Sequence, residues 1–74
     1  MTQSAEIETL QTEIAGFQAK LAQTAQRIRD LRDAEDLAKG ISNAEAIHAA
    51  LQEKLRLEFE VQYRKARINR LRFD

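Results

Sequence analysis

The sequence lacks cysteine and proline, and it has only two glycines among its 74 residues. Without cysteine, neither a disulfide nor a thiolate metal site can reinforce the core. Because proline is absent and glycine is rare, few residues interrupt regular structure, which favours a few long helices over many short elements. A chain of this length is expected to form one domain with a core of marginal size.

The sequence also lacks an excess of charge of either sign, since twelve Lys and Arg residues balance twelve Asp and Glu residues. Zero net charge argues against a general nucleic-acid or anionic-membrane binder, which normally carries a basic excess. Residues 1–6 are polar and lack the apolar segment of a signal peptide, and no apolar run is long enough to span a bilayer. We therefore expect a cytoplasmic protein with no membrane partner.

The first half of the chain contains a heptad pattern. Thr24 is the one core position that is not apolar, and Ser4 suits the N-cap. This spacing predicts an amphipathic helix over about residues 5–39, whose apolar stripe must be covered by another helix. The apolar core positions are Ile7, Leu10, Ile14, Phe17, Leu21, Ile28 and Leu31.

A turn is predicted at residues 40–42. Gly40 suits the left-handed position that ends a helix, and Lys39 is favourable in a last helical turn. Ser42 with Glu45 three residues later matches a capping box, which starts a new helix. The stop and the start lie two residues apart, which is typical of a tight αα-hairpin.

The second helix is predicted over about residues 43–71, so that the whole chain, 1–74, forms one all-α domain, a coiled-coil-like two-helix antiparallel hairpin. Folding back places the acidic start of the chain along its basic end, which selects this orientation. It also places apolar residues side by side: Leu10 with Leu71, Ile14 with Ile68, Leu21 with Val61, Ile28 with Leu55, and Leu31 with Leu51.

Two alternatives remain at this stage. Residues 55–63 alternate strictly between apolar and polar, as a half-buried strand does, although the chain offers no second strand to pair with. The heptads of the first helix would also suit an open, parallel two-stranded coiled coil between two copies of the chain.

The second helix carries more apolar surface than the first can cover. This surplus predicts either self-association, with two hairpins dimerising into a four-helix bundle, or binding to a different protein. Aromatic and arginine residues are enriched at binding hot spots. The predicted partner-binding residues are Leu57, Phe59, Val61, Tyr63, Arg64, Arg67 and Phe73.

Nucleic-acid binding is the alternative function. A run of cations near the C-terminus, bordered by aromatic residues, could follow a phosphate backbone. The predicted contacts are Arg64, Lys65, Arg67, Arg70 and Arg72.

Catalysis has little support in the sequence. The single histidine, His48, has no cysteine or second histidine with which to form a metal site or an activated nucleophile. The carboxylates between Asp30 and Asp36 scatter around a helix and are interspersed with arginines, as on a solvated charged surface. We expect no enzyme activity, no cofactor or metal, and no small-molecule substrate.

The sequence therefore predicts a small, non-enzymatic protein-binding module that is a homodimer and acts through apolar helix faces. No motif identifies a family. In architecture alone, the predicted hairpin resembles small helical proteins that serve as secretion co-chaperones, phage assembly or inhibitor factors, and complex-stabilising subunits, and many unrelated functions share this shape. A purely structural oligomerisation subunit is a further alternative.

Overall fold

The computed structural model describes residues 2–73, and side chains from residue 3 onward. Helix α1 spans Thr2–Asp33, a single 3₁₀ turn spans Leu37–Lys39, and helix α2 spans Ala44–Phe73. The predicted all-α helical hairpin is confirmed. Residues 55–63 lie within α2, and no strand occurs among residues 2–73, so the helical interpretation of the alternating segment is correct.

The two helices pack side by side along most of their length. The molecule measures 60 × 15 × 12 Å, and its Cα radius of gyration is 17.3 Å. A compact chain of 74 residues would have a radius of gyration of about 11 Å. The protein is therefore a thin rod with much of each helix facing outward.

The core is a single seam between the helices. Its buried residues are Ile14, Ile28, Ala50, Leu57, Val61 and Ile68. Ile14 of α1 forms one cluster with Val61 and Ile68 of α2, and Phe17 and Leu21 pack against it. The predicted neighbours Ile14 and Ile68 thus share a cluster, as do Leu21 and Val61, which shows that the antiparallel register follows the apolar pattern.

The register departs from the prediction near the connection. Leu55 was expected to cover Ile28, but Leu55 is largely exposed and points away from α1. Leu51 and Lys54 lie beside Ile28 instead. Leu55 and Leu57 are two positions apart, which is about 200° around a helix, so both cannot face α1. The helix buries Leu57.

Helix α1 ends at Asp33, six residues before the predicted end at Lys39. Asp36 explains the difference, because its side chain accepts a hydrogen bond from the Lys39 backbone N–H at 3.3 Å and caps a 3₁₀ turn. Two backbone hydrogen bonds join Asp36 and Ile41 and close this loop. Gly40 adopts φ 75°, the predicted left-handed conformation, but it ends the 3₁₀ turn rather than α1.

Asn43 fixes the corner between the helices. Its side-chain Nδ2 donates to the carbonyl oxygen of Leu31 at 2.8 Å, and its backbone N–H donates to Glu35 Oε2 at 3.0 Å. The predicted capping box is wrong in detail. Ser42 Oγ accepts a hydrogen bond from the backbone N–H of Ala44, and Glu35, on the other side of the connection, accepts the hydrogen bond from the backbone N–H of Asn43. The last turn of α1 is thereby tied to the first turn of α2.

Replacing Asn43 by alanine should lower the free energy of unfolding by about 1 kcal/mol, because it leaves the Leu31 carbonyl in the last turn of α1 without its donor. Thermal unfolding followed by circular dichroism measures the loss. Ser42→Ala is the control and should cost much less, since Ser42 makes only a local contact. Equal losses for the two variants would show that the corner is not held by Asn43.

Candidate protein-binding surface

A row of large apolar side chains follows the outer side of α2. The four residues occur at intervals of four, and their exposed fractions are 38% for Leu51, 66% for Leu55, 71% for Phe59 and 54% for Tyr63. At about 100° per residue, an interval of four keeps side chains in a slowly turning row. We call these four residues the outer stripe.

The centre of the outer stripe lies on the side of α2 that faces away from α1. Phe59 is nine residues from both Ala50 and Ile68, which are buried against α1. Nine residues correspond to about 180° of rotation, so Phe59 points opposite to the core. The row turns slowly around α2, so Leu51, at one end, lies beside Ile28 of α1, whereas the other three residues of the stripe remain uncovered.

The structure separates the predicted partner-binding residues into two groups. Leu57 is only 1% exposed and Val61 is also buried, so both belong to the core and their prediction as contact residues is corrected. Phe59, Tyr63 and Phe73 are exposed, with Phe73 at 84%. Residues two positions apart lie about 200° apart around a helix. This alternating segment therefore cannot present all its apolar side chains on one face.

Arg64 joins the two helices. Its Nε donates to Glu13 Oε1 of α1 at 3.0 Å, and its Nη1 donates to Glu60 Oε1 at 2.7 Å. The guanidinium lies 4.5 Å from the centre of the Phe17 ring, a cation–π distance. The hydrogen bond to Glu60 raises the pKa of Arg64 further above its usual range. Arg64 is thus engaged within the hairpin rather than presented to a partner.

The predicted nucleic-acid residues are likewise divided. Arg67 donates to Glu6 Oε2 at 3.0 Å and, like Arg64, is paired with the acidic start of α1. Lys65, Arg70 and Arg72 are exposed and form no ion pair with another residue of the described range 2–73. Two of the five cations are therefore neutralised, which weakens the basic run as a phosphate-binding surface.

Charged residues of both signs border the outer stripe. On one side, Arg56 donates to Glu53 Oε1 at 3.0 Å and lies 3.7 Å from Glu60. On the other side, Lys54 lies 3.0 Å from Glu58. The hydrogen bond from Arg56 lowers the pKa of Glu53 below its usual value. The stripe thus has an apolar centre and a charged rim of two cations and three carboxylates, and a polar rim is a feature of many protein interfaces.

The remaining polar residues provide no second site. Within residues 2–73, no group of three or more histidines and carboxylates is arranged to hold a metal ion, and His48 is exposed. No protein-family model, curated protein or solved structure matches this chain. Neither helix, over the residues described, carries the long and nearly uncharged apolar segment that crossing a membrane would need.

Leu51 and Leu55 were not among the predicted partner-binding residues, because the predicted register placed them beside Leu31 and Ile28 of α1. The interval of four that links them to Phe59 and Tyr63 was present in the sequence and could have identified the stripe. What the sequence alone did not supply was the side of α2 that α1 covers.

Replacing Arg64 by lysine should lower the melting temperature of the hairpin, since an ammonium cannot contact both carboxylates and the Phe17 ring at once. Arg72→Lys, at an exposed position, is the control and should change the melting temperature little. A melting temperature for Arg64→Lys equal to that of the control would contradict this role.

Proposed function

We propose that this chain is a small, non-enzymatic protein-binding module and that its binding surface is the outer stripe of α2. The bound chain determines whether the module serves as an adaptor, an assembly or secretion chaperone, or a stoichiometric inhibitor, and we expect it to act in the cytoplasm. Two hairpins joined through their stripes would give a dimer of four helices, whereas the sequence predicts a dimer in the form of a four-helix bundle.

The position of the stripe supports this proposal most strongly. Three large apolar side chains of the stripe, Leu55, Phe59 and Tyr63, are more than half exposed, although each could have been polar without loss to the hairpin core. Contiguous exposed apolar surface with a polar rim is typical of protein-interaction sites. Phe59 and Tyr63 are of the residue types that form binding hot spots, and the charged rim would shield them from water in a complex.

Site-specific photo-crosslinking tests the proposal. A benzophenone side chain is placed at Phe59, and at Ala19 on the exposed surface of α1 as the control. In cells that produce the protein, irradiation should join the Phe59 derivative to another protein chain, whether foreign or a second copy, and should join the Ala19 derivative to much less. Equal labelling from both positions, or none from Phe59, would refute the proposal.

The alternative functions predict different results. A nucleic-acid-binding module would bind an unstructured polynucleotide with an affinity that falls steeply as salt rises, and it would depend on Lys65, Arg70 and Arg72 rather than on the stripe. A purely structural oligomerisation subunit would also give photo-adducts with itself from Phe59, and it would differ in binding no further protein through any other surface. Apolar contacts of the stripe, in contrast, should respond little to salt.

A further inference from the structure

We infer that the chain bound by the outer stripe is a second copy of this protein, with the two α2 helices packed antiparallel. This inference rests on the proposed function, because it names which protein the stripe binds. The twofold axis passes level with position 57, so two residues lie level when their numbers add to 114. In such a twofold contact, every pair of level residues occurs twice, once with each copy contributing each member of the pair.

The apolar residues carry this register. With the axis at position 57, Leu51 lies level with Tyr63 of the second copy, and Leu55 lies level with Phe59 of the second copy. Every residue of the outer stripe therefore lies level with another residue of the stripe. Each contact combines a leucine with an aromatic side chain, so the two stripes complement each other in size.

The same register places the exposed apolar residues at the two ends of the rod together. Phe73, at the end of α2, lies near the connection that precedes α2 in the second copy, and Ile41 is part of this connection. Leu37 lies in the same connection, and all three side chains are exposed in the hairpin. Together with the outer stripe, these three are the large apolar residues that the hairpin leaves exposed among residues 2–73. One antiparallel contact thus brings together the apolar surface that folding leaves uncovered.

The charges favour the antiparallel orientation over the parallel one. Glu45 lies within one residue of level with Arg70 of the second copy, and on a helical wheel both lie on the same side of the stripe. Arg56 lies within two residues of level with Glu60 of the second copy. In a parallel contact each of these charges would face the identical residue of the second copy. The basic ends of both α2 helices would also lie side by side and repel each other.

The exposed area of the hairpin agrees with a missing partner. The accessible surface is 5552 Å² for a chain of 8.5 kDa. A folded monomer of this mass typically exposes about 4,700 Å². The excess of about 850 Å² is close to the roughly 800 Å² that each partner buries in a standard protein–protein interface.

The position of the stripe also determines the shape of the dimer. Because the stripe lies opposite α1, the two α2 helices form the centre and the two α1 helices lie outside. The four helices form a row, not the square cross-section of a closed four-helix bundle. This row leaves the outer face of each α1 exposed.

Cysteine pairing tests both the partner and the register. The chain has no cysteine, so introduced thiols are the only ones present. Leu51→Cys and Tyr63→Cys proteins are mixed in equal amounts in a glutathione buffer, and the disulfide-linked products are identified by mass. We expect the disulfide between Leu51→Cys and Tyr63→Cys to make up clearly more than one half of the linked products, which is the fraction that random pairing would give. Identical residues would lie about 18 Å apart along the axis, whereas a disulfide needs Cα atoms within about 7 Å.

Three results would overturn the inference. An excess of same-residue disulfides would indicate a parallel contact. The stripes do not contact each other if the Leu51→Cys and Tyr63→Cys proteins form no more disulfide than an Ala19→Cys protein does, while circular dichroism shows that all of them remain helical. A sedimentation mass of the unaltered protein that stays at 8.5 kDa at all concentrations would exclude a dimer. If Phe59 photo-crosslinks to a foreign protein while the cysteines fail to pair, the proposed function stands and only this inference fails.

Discussion

Leu57→Ala should lower the free energy of unfolding by about 3–5 kcal/mol, the largest stability effect expected from any single truncation in this chain. Leu57 is 1% exposed and is the most completely buried large side chain of the hairpin. Its truncation removes apolar contacts and leaves a cavity in a seam only one side chain wide. Because a domain of this size has only about 3–5 kcal/mol of stability, the variant should be largely unfolded at 25 °C.

Leu55→Ala is the matched control, since it makes the same substitution two residues away. Leu55 is exposed, and its truncation should change the stability of the hairpin by less than about 0.5 kcal/mol. Urea unfolding followed by circular dichroism gives both values, and low protein concentration keeps association through the stripe from contributing. Similar losses for the two variants would contradict the helical placement of this segment, because only a strand would bury both leucines on one face.

Phe59→Glu should leave the hairpin folded and abolish its association through the outer stripe. Phe59 points away from α1 and is 71% exposed, so a carboxylate there meets water in the single hairpin. Burying a phenylalanine stabilises a contact by about 1.5–3 kcal/mol, and a symmetric dimer buries two. The dissociation constant of the dimer should therefore rise by about 100-fold or more.

Sedimentation at a series of protein concentrations measures this change, and circular dichroism verifies that the helices remain. Ala19→Glu, which adds the same charge on the exposed surface of α1, is the control and should associate like the unaltered protein. A Phe59→Glu protein that associates as tightly as the control would place the contact elsewhere on the molecule.

Much of the fold could be predicted from the sequence because the heptads of α1 allow only one side to be buried. The connection could not be placed as well, since Asp36 and Glu35 look like ordinary surface carboxylates in the sequence. Their roles depend on partners that folding brings near, Lys39 in a tight turn and Asn43 across the corner. Local spacing therefore put the end of α1 six residues too late.

The candidate surface was predicted in part. Phe59, Tyr63 and Phe73 were identified correctly as exposed, because an excess of apolar residues on α2 is visible in the sequence. Leu57 and Val61 were included among the predicted partner-binding residues because the alternating pattern does not distinguish the apolar residues that α1 covers from those that stay exposed. Only the position of α1 decides which half of such a pattern is covered, and that position is a property of the packed hairpin.

The intrinsic fluorescence of Tyr63 shows directly whether the outer stripe becomes buried when two copies of the chain associate. Tyr63 is the only tyrosine, the chain has no tryptophan, and the residue lies in the outer stripe. Quenching by acrylamide therefore reports the exposure of the stripe without any label. We predict that quenching weakens as the protein concentration is raised and the sedimentation mass doubles from 8.5 kDa. Unchanged quenching across that doubling would show that the stripe stays exposed in the dimer and that the two copies join through another surface.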